Sequence, residues 1–262
     1  MLAKKVFFSF LELTDPTRHA EYNAYHQLDH RPENLALPGV RWGDRWVRTP
    51  ACAADSTGSD PQLRRMQYTT MYWFDDPVER SVAEWAELGE LAFQWGRRPD
   101  TDWAERHVGF FRPLKGYVSP RVLVSPDALP FRPVRSMLLN VLRVREPHAA
   151  ATEQAYAWYD RVHLPQMLGC AGVAGVWSFV SESSTLLSGA AGDGRRGPDR
   201  GIRVHLAFCD EEPAVVLQDL GERRAALAAG MPDLDGVVEE LLFTALESIT
   251  PWQWNWFDPP VT

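Results

Sequence analysis

"HRPENLALPGV" (residues 30–40) and "HLPQMLGCAGV" (residues 163–173) carry the same marks in the same order. His30, Pro32, Leu35, Gly39 and Val40 fall on His163, Pro165, Leu168, Gly172 and Val173, a spacing of 133 residues from 30 to 163. Upstream, that spacing puts "VFFSFLEL" (6–13) on "LLNVLRVR" (138–145) to within a residue, Tyr25 on Trp158 and His26 on Tyr159. Downstream, "QYTTMYWFDD" (67–76) falls on "IRVHLAFCDE" (202–211) at a spacing of 135, so the intervening loops differ slightly. The identities are few. Their order and spacing point to an internal repeat, which sets the architecture before any single element does.

Each half then reads strand, helix, strand, strand, helix, strand. The first strand is apolar at consecutive positions (Val6, Phe7, Phe8, Phe10, Leu11; Met137, Leu138, Leu139, Val141, Leu142), as expected when both faces are covered. Asp15-Pro16-Thr17 offers an N-cap followed by an early proline, and the pre-proline restriction predicts that the first helix stops before Pro32 and, in the second half, before Pro165. The βαββαβ order is the split-βαβ, ferredoxin-like unit, and two such sheets can cover each other's bare face. The expected fold is therefore α+β: two tandem ferredoxin-like (βαββαβ) repeats whose antiparallel sheets pack into an α+β barrel. The first repeat spans 1–118 and the second 135–250. Five prolines in 112–134 mark the connection, with the linker proper at 119–134. The tail, 251–262, carries Trp252, Trp254 and Trp256 and is expected to strap over apolar surface, the alternative being a lid on a ligand site or a dimer contact. The Gly-, Ser- and charge-rich loop 181–201 has little to bury, so high mobility and early proteolysis are expected there.

An aromatic-rich helix ending His-x-Pro, then "LPGV" and a strand, resembles the dimeric α+β barrel superfamily, and most closely its EthD-like members, here as a tandem duplication in one chain. The resemblance covers nearly the whole sequence. It implies a pocket between helices and sheet that the helix-end histidine faces, and it carries over to His30 and His163 alone.

Helical geometry adds further candidates. Tyr22, His26 and His30 step by four and share a face, with Tyr25 and Asp29 on the adjacent stripe. The second half offers Tyr159 and His163, with Trp158 and Asp160 beside them. Imidazole beside phenol and carboxylate suits acid–base work near neutrality. The structural alternative is that a histidine in a helix's last turn simply complements the helix dipole. His30, His26, Tyr25 and Asp29 are the catalytic candidates. Tyr22, Tyr68, Tyr72, Trp73, Tyr159 and His163 are the substrate-binding candidates. On the third strand, Tyr68, Thr70, Tyr72 and Phe74 alternate with Thr69, Met71 and Trp73. Six of the eleven tryptophans (Trp42, Trp46, Trp73, Trp85, Trp95, Trp103) sit in the first half, which suggests an aromatic-lined cavity there.

Composition narrows the function. The chain has 262 residues, 45% hydrophobic and 24% charged, with a net charge of −8 and no basic run; nucleic acid and anionic membrane surfaces are not expected partners. No window reaches the roughly 18 apolar residues of a membrane helix, and the N-terminal apolar run is interrupted by Ser9 and Glu12. Three scattered cysteines (Cys52, Cys170, Cys209) suit a reducing cytoplasm. No phosphate-binding glycine loop between strand and helix, G-x-S-x-G or H-E-x-x-H occurs. His26 and His30 have chelating spacing but lack an evident third ligand, so no metal and no cofactor are expected. The expectation is a cofactor-independent lyase or isomerase acting on a hydrophobic aromatic or polyketide-like small molecule through histidine acid–base catalysis. The alternatives are a non-catalytic small-molecule binding protein and a haem protein of chlorite dismutase-like type, with His163 or His205 as axial ligand. A homodimer is compatible with the sequence.

Overall fold

The computed structural model describes residues 3–99, 102–184 and 201–258. Among these residues eight strands are formed: β1 (Lys5–Leu13), β2 (Val40–Val47), β3 (Tyr68–Phe74), β4 (Ala104–Val118), β5 (Ser136–Val144), β6 (Val173–Ser184), β7 (Ile202–Cys209) and β8 (Val238–Ser248). They close into one antiparallel barrel in the order β1-β3-β2-β8-β5-β7-β6-β4. The helices follow the strands in each half, so the fold is α+β.

Strand alternation sorts the side chains into two layers. Phe8, Phe10, Met71, Trp73, Phe111, Leu139, Trp177, Phe179 and Leu206 belong to one buried cluster inside the barrel. An eight-stranded barrel is just wide enough for side chains to fill it, and here large rings do so. Phe8 meets Phe111 edge-on at 5.1 Å and Phe179 at 5.2 Å, and Trp73 meets Trp177 at 5.4 Å. The alternate residues face outward to the helices. This layer contains both cavities described below.

The two seams of the barrel are unequal. β4 runs beside β6 from Gly109 to Val118, whereas β2 meets β8 only at Trp46↔Ser248 and Val47↔Glu247. The remaining edge of β8 is taken by the loop after β2: Thr57 exchanges backbone hydrogen bonds with Phe243, and Ser59 and Asp60 donate to Glu240 and Leu241. Covering an edge this way removes a row of unpaired backbone groups. β4 is longer than expected from its apolar run at 107–111 and continues through Pro113 into the stretch read as linker. Its second half is needed to pair with β6, and Pro113 is tolerated because the register shifts between Pro113 and Lys115.

The first helices also depart from expectation, because neither stops at its proline. α1 (His19–Tyr25) passes into a π-helical turn, His26–His30, and then into α2 (Arg31–Leu35), which contains Pro32. In the second half, α5 (Ala150–Trp158) passes through the π turn Tyr159–His163 into α6 (Leu164–Met167), which contains Pro165. The Arg31 N–H bonds to the His26 carbonyl and the Leu164 N–H to that of Tyr159, each five residues back. A proline ring in a helix ordinarily strikes the carbonyl four residues earlier. The under-wound π turn relieves that contact, so the helix continues. The remaining helices are α3 (Pro50–Ala54), α4 (Val78–Gln94) over the first half, and α7 (Pro213–Glu222) and α8 (Arg224–Leu227) over the second.

The paired glycines of the two motifs serve different needs. Gly172 has φ +75°, and an added Cβ would lie 2.7 Å from the Glu211 side chain; at Gly39 the obstacle is Ser81, at 2.3 Å from its Oγ. Gly172→Ala should therefore lose about 1–3 kcal/mol, through left-handed backbone strain and crowding, measured as a lower urea midpoint with unchanged m-value. An unchanged midpoint would contradict it.

In the tail, Trp254, Trp256 and Phe257 pack against Leu11, Leu13, Tyr22 and Tyr68, and Phe257 stacks on His19 at 4.2 Å; Trp252 is exposed. The expected mobile loop 181–201 lies mostly outside the described residues. Among the described residues, no helix is long and apolar enough to cross a membrane.

Candidate functional site

Among the described residues, each half holds a cavity between the outer face of its sheet and its helices. The first-half cavity measures about 290 Å³ and the second-half cavity about 820 Å³.

The first is walled by Tyr22, Tyr25, His26 and His30 from α1 and its π turn, and by Ser9, Thr70 and Tyr72 from the sheet. Trp85 comes from α4, Arg98 and Trp103 from the segment leading into β4, and Arg106 from β4 itself. The π turn sets the geometry. Tyr25 and His30, five apart, stack with ring centres 5.3 Å apart, and the Tyr25 hydroxyl lies 3.3 Å from His30 Nδ1. His26 sits between Tyr22 (4.4 Å) and His30 (5.0 Å), and its Nδ1 has no hydrogen-bond partner among the described residues. Tyr72 receives a hydrogen bond from Asn34 Nδ2 at 3.1 Å, which fixes its hydroxyl under the cavity.

Three sequence candidates lie elsewhere. Asp29 turns away from the cavity and forms an ion pair with Arg97, because the under-wound turn rotates it off the His26–His30 stripe. Trp73 faces into the barrel, since strand alternation places it with Met71 rather than with Tyr72. Tyr68 is buried behind the cavity wall, where its hydroxyl contacts His19 Nδ1 (2.8 Å) and Asn23 Nδ2 (2.9 Å). Tyr159 and His163 line the second cavity, so the candidates divide between two places. The sequence reading missed the arginines. A signal existed in "VRWGDRWV" (40–47), where alternation sets Arg45 on the same face as Gly43, towards the helices.

The histidines are held uncharged. Burial pushes His30 down to about 4, helped by Arg45 and Arg98 and opposed by Asp29. Burial, then Arg45, His30, Arg106 and Arg98, hold His26 well below the usual imidazole range. Burial also raises Tyr25 and Tyr72 to about 12, so both phenols stay protonated. In the second cavity His205 is pushed down to about 3 by burial and by Arg203 and His163, and His163 is lowered by burial against a hydrogen bond to Leu227.

These depressed values have a consequence for stability. The unfolded chain takes up protons near pH 6.5, while the folded chain refuses them until about 4 at His30 and about 3 at His205. Below pH 6.5 the unfolded state therefore binds more protons, and stability falls as pH falls, by about 1.4 kcal/mol per pH unit for each such histidine. Urea midpoints should drop between about pH 7.5 and about pH 5, a range above the ordinary carboxylate pKa values. A flat profile over that range would contradict the buried neutral histidines.

The second cavity is lined by Leu138, Asn140, Trp158, Tyr159, His163, His205 and Arg224, among others, and Asp55 and Thr57 reach it from the first half. Tyr159 lies against His205 at 4.9 Å. His163 Nδ1 is 3.3 Å from the Leu227 carbonyl. Among the described residues, no group of three or more His, Cys, Asp or Glu is placed to hold a metal ion.

By sequence, no family profile and no curated protein matches the chain. By structure, it is similar to a candidate monooxygenase from Fusobacterium nucleatum (TM-score 0.56, 7% identity, 95% of this chain and 94% of that one). It is also similar to an anthrone oxidase-like protein (0.52, 8%, 95% and 92%) and to a candidate monooxygenase from Lactobacillus acidophilus (0.50, 11%, 94% and 96%). These likenesses are of fold, an α+β barrel matched over nearly the whole length of each chain. They also correct the expectation of a cofactor-independent lyase or isomerase: the proteins that share the fold end to end are named for oxidation, and none of these three for elimination or isomerisation.

Proposed function

We propose that this chain is an oxidising enzyme built from two EthD-like, ferredoxin-like repeats, and that its first-half cavity oxidises a small aromatic molecule. The repeat boundaries stay at 1–118 and 135–250. Two observations support the duplication: the βαββαβ order recurs in each half, and a π turn begins at residue 26 and again at 159, the spacing of the sequence motif.

The observation that carries the reaction is the uncharged pair His26 and His30 at the wall of an aromatic cavity. A neutral imidazole can take a proton from an acidic C–H or O–H of the bound ring; a protonated one cannot. The base is weak, so the transfer succeeds only if the resulting anion is held beside it. That electron-rich anion is the species that reacts with dioxygen. For a ring methylene the balance is CH₂ + O₂ → C=O + H₂O: one oxygen atom enters the product, the other leaves as water with both hydrogens. Tyr25, protonated and hydrogen-bonded to His30, orients the imidazole. The names of the neighbours support oxidation as the reaction class. Oxygen uptake with anthrone as probe tests the reading: consumption equimolar with carbonyl product is expected. No uptake with anthrone, hydroquinones or catechols would count against it.

A second reading rests on the larger cavity. His163 directs Nδ1 at a backbone carbonyl, the arrangement that fixes a histidine tautomer and leaves Nε2 free to ligate. His163 would hold a haem there through Nε2, with Arg224 in the wall for a propionate, and haem would supply activation of oxygen or peroxide. Titration with hemin should give a Soret band that His163→Ala abolishes. Equal spectra from both proteins would remove this reading.

A further inference from the structure

Arg45 is 1% exposed, on β2, beneath α1. Among the described residues its guanidinium donates to neutral oxygens, Gln27 Oε1 at 3.3 Å and Asn23 Oδ1 at 3.2 Å, and lies near the Tyr22 hydroxyl, while its Nε has no partner there. The adjacent carboxylate, Asp44, feels the charge of Arg45 but forms its ion pair with Arg31, at 3.1 Å. The charge rests on ring faces, 4.8 Å from the centre of Tyr22 and 5.5 Å from that of Tyr68. A guanidinium keeps its proton at any working pH, and a buried charge without a counter-ion is strongly unfavourable. Ring faces and amide oxygens offset part of that cost. They do not supply the missing negative charge.

Tyr22 stands between Arg45 and the first-half cavity and forms part of its wall. Among the described residues that wall includes Arg98 and Arg106 and no aspartate or glutamate, in a chain whose net charge is −8. Arginine concentrated around one cavity of an acidic protein marks a place where negative charge is received. The apolar remainder, Phe7, Trp85, Trp103 and Phe110 among it, suits a flat ring. We infer that the first-half cavity binds its ligand as an aromatic oxyanion, with Arg45 as the buried positioning residue that supplies its counter-charge through the Tyr22 ring.

This inference rests on the cavity being the reaction site proposed above. The two fail separately, because ligand binding is measured without oxygen or turnover. The oxyanion could be an ionised ring hydroxyl or a carboxylate, and two probe pairs distinguish them: 4-nitrophenol against 4-nitroanisole, and 2-naphthoate against 2-naphthamide. Binding is followed by quenching of tryptophan fluorescence and, for nitrophenol buffered just below its solution pKa, by growth of the phenolate band. At least one anion should bind about tenfold or more tighter than its neutral partner, and the pair that shows it names the source of the charge. In Arg45→Met that preference should fall about tenfold while the neutral probe keeps its affinity, and Arg45→Lys should restore part of it. Equal affinity within both pairs for the native protein would overturn the inference, whether or not Arg45→Met folds. A folded Arg45→Met protein that keeps the preference, or loses both probes of a pair equally, would overturn the role given to Arg45.

Discussion

His30→Gln should lower the oxidation rate by about 10²–10⁴-fold while leaving the fold intact, the range expected when a positioned proton acceptor is removed. Glutamine keeps the approximate size and can still donate to the Tyr25 hydroxyl oxygen, as Nδ1–H does in the tautomer that leaves Nε2 free to act as base, but it does not take a proton near neutrality. The alternative role for a histidine at this place is to complement a helix terminus, worth at most about 1 kcal/mol and invisible in turnover. The structure offers an internal control. His163 occupies the corresponding position, but its Nδ1 meets the Leu227 carbonyl and it opens on the other cavity. His163→Gln should therefore leave first-cavity oxidation nearly unchanged. The pH profile adds a signature, since His30 protonates at about 4. Its contribution to kcat/KM should disappear as pH falls through about 4, not through the 6.5 of a free imidazole. Equal, small losses from both variants would remove the acid–base role. A larger loss from His163→Gln would move the reaction to the second half.

Trp177→Ala should cost about 3–5 kcal/mol of unfolding free energy, the upper range for truncating a buried side chain. The indole is 2% exposed inside the barrel, against Trp73 at 5.4 Å and Phe179 at 6.2 Å. Its Nε1 donates to the Pro126 carbonyl at 3.0 Å, tying the connection between the halves to the barrel interior. Alanine leaves a void that the closed sheet cannot collapse around, and it strips the Pro126 carbonyl of a donor. Gly116, whose added Cβ would lie 2.5 Å from the indole, shows how tightly β4 closes over this ring. Urea unfolding measures the loss directly. A loss below about 1 kcal/mol would mean that the barrel interior repacks freely.

Strand and helix order were readable from the chain because both depend on local period. Consecutive apolar residues mark β1 and β5 as covered on both faces, and the alternation in "YTTMYWF" (68–74) separates Tyr72 and Thr70 from Trp73 and Met71. It was the assignment of Trp73 to the ligand, not the alternation, that failed: both faces of a barrel strand are buried, so burial alone does not tell the packed interior from the cavity side. The repeat spacing of 133 likewise placed His26 and His30 on one helix, since four residues are close to one turn of any helix.

Tertiary structure settled the rest. Local preference says that a helix stops before Pro32, yet packing against the sheet holds the chain helical, and the proline is accommodated by a wider turn that brings Tyr25 onto His30 and turns Asp29 outward to Arg97. The unequal seams, with the loop after β2 standing in as an edge partner for β8, depend on residues nearly two hundred positions apart. Arg45 makes the difference plainest. In sequence it is one arginine among twenty-seven basic residues, and its charge could as well lie in solvent. Only the closure of helix over sheet excludes water from it, because desolvation belongs to the whole enclosure and not to any stretch of chain.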